Sequence, residues 1–181
     1  MKGRKFIGLA LAATLFAACQ SDTYYIKGEA HDFADGTVLY LAEADGTHRV
    51  LDSMTVSKGR FAYDALADDR LLCLIPAGTT DPALYFFACP GNAYVELSPE
   101  MGGSRVSGTR VNNEWQALND TVAKYDGHIR TLFAADSISP QKTYAVSERL
   151  YTTLTRRISE AALRNSDNAL GRFISSHYLP K

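Results

Sequence analysis

The segments Leu71-Leu72-Cys73-Leu74-Ile75 and Leu84-Tyr85-Phe86-Phe87-Ala88-Cys89 decide the fold, because each is apolar on both of its alternating faces. That pattern suits central strands covered on two sides, not strands with one face in water. Working outward, Thr23 to Ala30, Thr37 to Ala44, Arg49 to Val56, Arg60 to Ala65, Arg70 to Pro76, Leu84 to Cys89 and Ala93 to Leu97 are each β-rich. They are punctuated by Asp35-Gly36, Asp45-Gly46, Lys58-Gly59 and Pro90-Gly91-Asn92. Seven short strands predict an antiparallel β-sandwich or open barrel. The cover for the second face is expected from the C-terminal half, where Trp115, Leu118, Val122, Tyr125, Ile129 and Leu132 recur at helical spacing. A second helix is predicted from Ser139-Pro140, with Ser147, Leu150 or Tyr151, Leu154, Ile158 and Ala161 as its stripe and a stop near Asn165. A third, shorter one carries Leu170, Phe173, Ile174 and Tyr178 and is weakened by Gly171. The fold class is therefore α+β, with a β-sandwich domain over 23–108 and a helical part over 109–181 packed on it.

The first 18 residues read differently. Lys2, Arg4 and Lys5 precede an apolar run from Phe6 to Ala18, too short to span a bilayer, and small residues stand before Cys19. This is the pattern of a lipoprotein signal peptide over 1–18. Cys19 is then the expected lipidation site and 19–22 a tether, which makes a membrane one partner. Gln20 is not the aspartate that retains enteric lipoproteins at the inner membrane, so the expectation is a bacterial cell-envelope protein, outer rather than inner membrane, facing periplasm or surface. The signal segment holds three of the 19 basic residues and none of the 20 acidic ones. The remaining chain is thus net acidic by about four charges, which argues against nucleic acid as a partner.

Cys73 and Cys89 remain as a candidate disulfide or thiol pair. A hairpin about the loop from Ala77 to Ala83 sets Pro76 opposite Leu84 and Cys73 opposite Phe87. Cys89 is then diagonal to Cys73, roughly 7–8 Å away and at or beyond the roughly 4.4–6.8 Å Cα reach of a disulfide. A small register shift would permit the bond; otherwise both act as small apolar residues. Neither belongs to a C-x-x-C pair.

The ordered set Tyr25-Ile26-Lys27-Gly28, Asp35 to Leu41, Leu51 to Val56 and Lys58 to Tyr63 resembles domain of unknown function 4369. Phe86-Phe87, Pro90-Gly91-Asn92-Ala93, Val106-Ser107-Gly108-Thr109 with Asn112-Asn113, and Asn168 to Phe173 extend the resemblance. It implies the N-terminal part of a lipid-anchored protein whose C-terminal part is a thioredoxin-like thiol-disulfide oxidoreductase. The chain stops at Lys181, before such a domain, so no catalytic cysteine carries over. Two functions follow: a non-enzymatic binding or accessory module with a protein partner, or a component of periplasmic thiol-disulfide exchange. The second would act in trans with a thioredoxin-like protein or as the front of a longer chain, with Cys73 and Cys89 as its handles.

Other chemistry finds no constellation. His31, His48, His128 and His177 share no metal-ligand spacing, so no metal or cofactor is expected. Ser53, Ser107 and Ser139 have no nucleophile-elbow context, and no catalytic residue is assigned. Among Tyr24, Tyr25, Phe33, Tyr40, Tyr63, Tyr85, Phe86 and Phe87, any exposed subset is a candidate binding face for a peptide or sugar, the remainder being core.

Overall fold

A computed structural model describes residues 22–135 and 139–179; the expected signal peptide, Cys19 and residues 20–21 lie outside the described residues. Eight strands precede three helices. They are β1 (Thr23–Glu29), β2 (Val38–Glu43), β3 (Val50–Thr55), β4 (Arg60–Leu66), β5 (Leu71–Pro76), β6 (Leu84–Phe87), β7 (Gly91–Glu96) and β8 (Arg105–Ser107), then α1 (Arg110–Phe133), α2 (Pro140–Arg164) and α3 (Ala169–His177). The α+β class and the strand-rich half followed by helices are as the sequence predicts.

The strands form two four-stranded sheets, ordered β4-β1-β7-β8 and β3-β2-β5-β6. Pairing is antiparallel except between β1 and β7, which run parallel with Tyr24 opposite Gly91. This departs from an all-antiparallel sandwich. The chain leaves β6 at the end where β1 begins and enters the other sheet beside β1, pointing the same way. Inward positions of both sheets, among them Ile26, Leu39, Leu41, Val56, Phe61, Leu72, Leu74, Phe86, Val95 and Val106, make one core. Lys58-Gly59 closes β3 to β4 with both residues at positive φ (52° and 68°), and Ser57 bridges Arg60. That geometry gives a two-residue hairpin turn its right-handed twist.

The β5–β6 register differs from the expected one by two residues. Leu74 faces Leu84 and Cys73 faces Tyr85. Pro76 has no N–H to offer β6, and its carbonyl accepts from the Thr79 N–H and Oγ1 (3.1 and 2.9 Å); pairing to β6 therefore stops at Leu74. β5 is central as predicted, but β6 is an edge strand, and its second side is α1.

That edge is closed by side chains. Asn112 Oδ1 accepts from the Phe87 N–H (2.8 Å) and its Nδ2 donates to the Phe87 carbonyl (3.0 Å), while Trp115 Nε1 donates to the Tyr85 carbonyl (2.9 Å). One residue on, Gln116 Oε1 accepts from the Val106 N–H of β8 (2.9 Å). Positions 112, 115 and 116 share a helix face, so one face of α1 satisfies three backbone groups of β6 and one of β8 and spans the gap between the sheets. Thr109 caps the helix by accepting from the Asn112 N–H. Trp115, Phe87 and Phe173 then pack edge to face, with centroids 5.7–6.0 Å apart.

α2 begins at Pro140 after Ser139, whose side chain makes no cap bond. Of the two alternatives for its stripe, Leu150 is half-buried and Tyr151 is exposed. α3 starts after Asn168, whose side chain accepts from the Leu170 and Gly171 N–H groups. Gly171 is required, not merely tolerated: a Cβ there would lie 2.0 Å from the Asn165 carbonyl.

Candidate functional site

The thiols come first, since Cys73 and Cys89 are the handles that thiol-disulfide exchange would need. Both are free and buried, with Cys73 at 0% and Cys89 at 6% exposure. They belong to different clusters. Cys73 sits with Ala42 and Ile75 under Tyr85 on the outer side of its sheet, and its Sγ lies 3.6 Å from the Ala42 carbonyl. Cys89 follows β6 in the main core. Ala88 bonds Arg70 and Asp69 bonds Ala88, which sets Cys89 level with Asp69, four residues along from Cys73, or roughly 13 Å. The structure does not bring the pair together. Burial pushes the Cys73 thiol up to about 11 and, with the Asp69 carboxylate adding to it, the Cys89 thiol up to about 12. Neither is a nucleophile at neutral pH.

The histidines stand on separate elements, and among the described residues no group of three or more His, Cys, Asp or Glu could hold a metal ion. His31 lies 3.5 Å from Glu29, and His177 stacks on Phe173. Ser53, Ser107 and Ser139 fall on β3, on β8 and before α2.

A recess of about 860 Å³ crosses the β4-β1-β7-β8 sheet. Its lining includes the outward residues of all four strands, with Thr55 and Ser57 of the β3–β4 corner and Gln116 of α1. The pairings order the outward side chains of this sheet in rows, of which the second and third line the recess. Asp64, Tyr25 and Asn92 form one, and Ala62, Lys27, Tyr94 and Ser107 the next. Arg60, Glu29, Glu96 and Arg105 form the last. In that last row two carboxylates stand side by side on β1 and β7, each flanked outward by a guanidinium, so charges of both signs lie about one strand spacing apart. Arg105 also binds Asp120 of α1 through both guanidinium nitrogens (2.9 and 3.1 Å), which fixes that rim.

Tyr94, half exposed, stands in the middle of the recess, with Tyr25 one row away. Of the eight aromatics singled out from sequence, Tyr24, Phe86 and Phe87 are core, while Tyr25 and Tyr40 are exposed on different sheets. Tyr94 was missed because its strand reads as ordinary alternation. The signal was its outward parity, Ala93 and Val95 facing in and Tyr94 out.

Mixed charge and exposed tyrosines make this face suited to reversible polar and aromatic contact, and its side chains form no nucleophile and base pair. None of the curated proteins matches the chain. A family model described as Domain of unknown function (DUF4369) matches residues 24–115, from the second residue of β1 to Trp115, whose indole seals the β6 edge. Spanning half of the protein and both sheets, that match places the chain in the DUF4369 family.

Proposed function

We propose that the protein is a bacterial envelope module, lipid-anchored through Cys19, that binds a protein partner on the outer face of its β4-β1-β7-β8 sheet and carries out no reaction of its own. The recess over four strands is the observation that carries the reading. It presents the Tyr94 ring beside the Arg60–Glu29–Glu96–Arg105 row, with Tyr25 exposed on the same face beyond the recess. Exposed tyrosines provide contact area at low entropic cost, and flanking charges of both signs select a complementary partner. Direct thiol exchange through Cys73 or Cys89 finds no support in two buried, protonated thiols.

The test is a photo-crosslinking residue placed at Tyr94 in cells, with Tyr40 of the opposite sheet as control. A discrete adduct at Tyr94, absent at Tyr40 and abolished by Lys27→Glu, is the expected result. Equal labelling at both positions, or none at Tyr94, would overturn the assignment of this face. Intact mass of the membrane-extracted protein tests the anchor independently, the expected species beginning at an acylated Cys19.

A further inference from the structure

We infer that the end of the molecule bearing Leu66 and Leu163 lies against the headgroups of a zwitterionic phospholipid bilayer; this rests on the lipid-anchor reading of Cys19. With lipid on Cys19, only Gln20, Ser21 and Asp22 separate the acyl chains from the first strand residue. Even fully extended, three residues span about 10 Å. β1 begins at Thr23, which pairs with Leu66, and the Asp22 carbonyl accepts from the Ala67 N–H (2.7 Å). Leu66 is therefore within about one strand spacing, roughly 5 Å, of the tether's end. It is 77% exposed, a large apolar side chain at the point of the domain held closest to the membrane.

The same end extends across the sheet to the helices. Tyr24 pairs with Gly91, and a Cβ on Gly91 would sit 3.5 Å from the Thr109 methyl, so α1 starts here. Arg110 Nη2 donates to the Arg164 carbonyl (2.9 Å), bringing in the end of α2, where Leu163 is 76% exposed. Between the two leucines the charges are matched in pairs: Arg70 with Asp68, Arg172 with Asp69 and Arg110 with Asp167. With Asp22 also acidic, such a surface has no net attraction for anionic lipid but complements headgroups that carry both signs. Two exposed leucines at opposite sides of this end supply the apolar contact.

This orientation sets the recess upright. The Asp64–Tyr25–Asn92 row lies nearest the bilayer, and the Arg60–Glu29–Glu96–Arg105 row stands roughly 20 Å from the start of β1 at Thr23, open to the aqueous side.

The experiment uses the full acylated chain, purified from its membrane and reconstituted into phosphatidylcholine vesicles containing doxyl-labelled lipid. Leu66→Cys, Leu163→Cys and Asp81→Cys variants each carry a fluorophore, and Cys73 and Cys89 are too buried to compete for it. Asp81 lies in the β5–β6 loop at the far end. At least twofold quenching at both leucine positions, none at Asp81, and no change on adding phosphatidylglycerol are expected. Quenching at position 66 without position 163 would mean a tethered body with no docked face, overturning the inference while the anchor stands. A mass showing unmodified Cys19 overturns the anchor and the inference together.

Discussion

Replacing Asn112 by alanine tests whether α1 is a structural part of the β domain. Asn112 is fully buried, and its amide satisfies both the N–H and the carbonyl of Phe87 at 2.8 and 3.0 Å. Truncation leaves two buried backbone groups without partners, each costing about 1–3 kcal/mol. A total near 3 kcal/mol is expected, a large part of the roughly 5–15 kcal/mol that holds a domain folded. With a urea dependence of about 2 kcal/mol per molar, the midpoint should fall by about 1.5 M. Asn113→Ala is the control. Its side chain accepts from Gly108 N–H at an exposed position, and its loss should move the midpoint by less than about 0.5 M. Asn112→Asp adds a pH signature. Its carboxylate can accept from Phe87 N–H but repels the Phe87 carbonyl, to which only the protonated acid can donate. The folded pKa is then raised above the ordinary carboxylate value, so stability falls as pH rises through that ordinary value, and the variant should lie closer to the parent at pH 4 than at pH 7. Urea unfolding followed by Trp115 fluorescence measures all three. A shift for Asn112→Ala no larger than that for Asn113→Ala would refute the edge-closing role.

Three further outcomes follow from the same packing. Gly28→Ala places a Cβ 2.0 Å from the Phe61 ring and should cost about 1–3 kcal/mol, with Phe61→Leu recovering part of the loss in a double-mutant cycle. Gly171→Ala drives a Cβ onto the Asn165 carbonyl, a backbone atom that cannot swing aside; it should lower the thermal midpoint more than Gly127→Ala on α1, where a Cβ meets nothing. Cys73 and Cys89 should resist maleimide at neutral pH until the chain unfolds. Because their folded pKa values, about 11 and about 12, lie above the ordinary 9.0, the unfolded state loses those protons first as pH rises. Stability should then fall between pH 9 and 10 by up to about 1.4 kcal/mol per thiol, and a Cys73→Ala/Cys89→Ala variant should lose that slope.

The strands were legible because alternation and turn residues agree: Tyr24 and Ile26 point in while Tyr25 and Lys27 point out, and Asp35-Gly36 and Lys58-Gly59 break the runs. The helical stripe was equally plain at Trp115, Leu118 and Ile129. Pairing was not. Nothing local states that β1 lies parallel to β7, because that pairing joins two central strands far apart in the chain and depends on their contacts, not on composition. The β5–β6 slip turned on one residue, Pro76, whose missing N–H and engaged carbonyl end the ladder early. Gly171 read as a weakness in a helix because its neighbour, the Asn165 carbonyl, comes from a different element. The recess was invisible for the same reason: its rows exist only once four strands from distant parts of the chain lie side by side.

Where the domain ends is a question of hydrogen bonds, not of secondary structure. A division after residue 108 separates strands from helices neatly, yet it would leave the Phe87 N–H, the Phe87 and Tyr85 carbonyls and the Val106 N–H with no partner on two open edges. Unpaired edges of that kind invite pairing with other chains. The family match, running to Trp115, takes in Asn112 and Trp115, both residues that seal β6. The first two turns of α1 therefore belong to the β unit. They stand where a closing strand would stand, and they do so with side chains because the gap between β6 and β8 faces two sheets at once. α2 and α3 then pack on a helix whose position the sheets have already fixed. Among the described residues, the outer side of β4-β1-β7-β8, the face proposed for a partner, meets α1 along its β8 rim through Gln116 and Asp120.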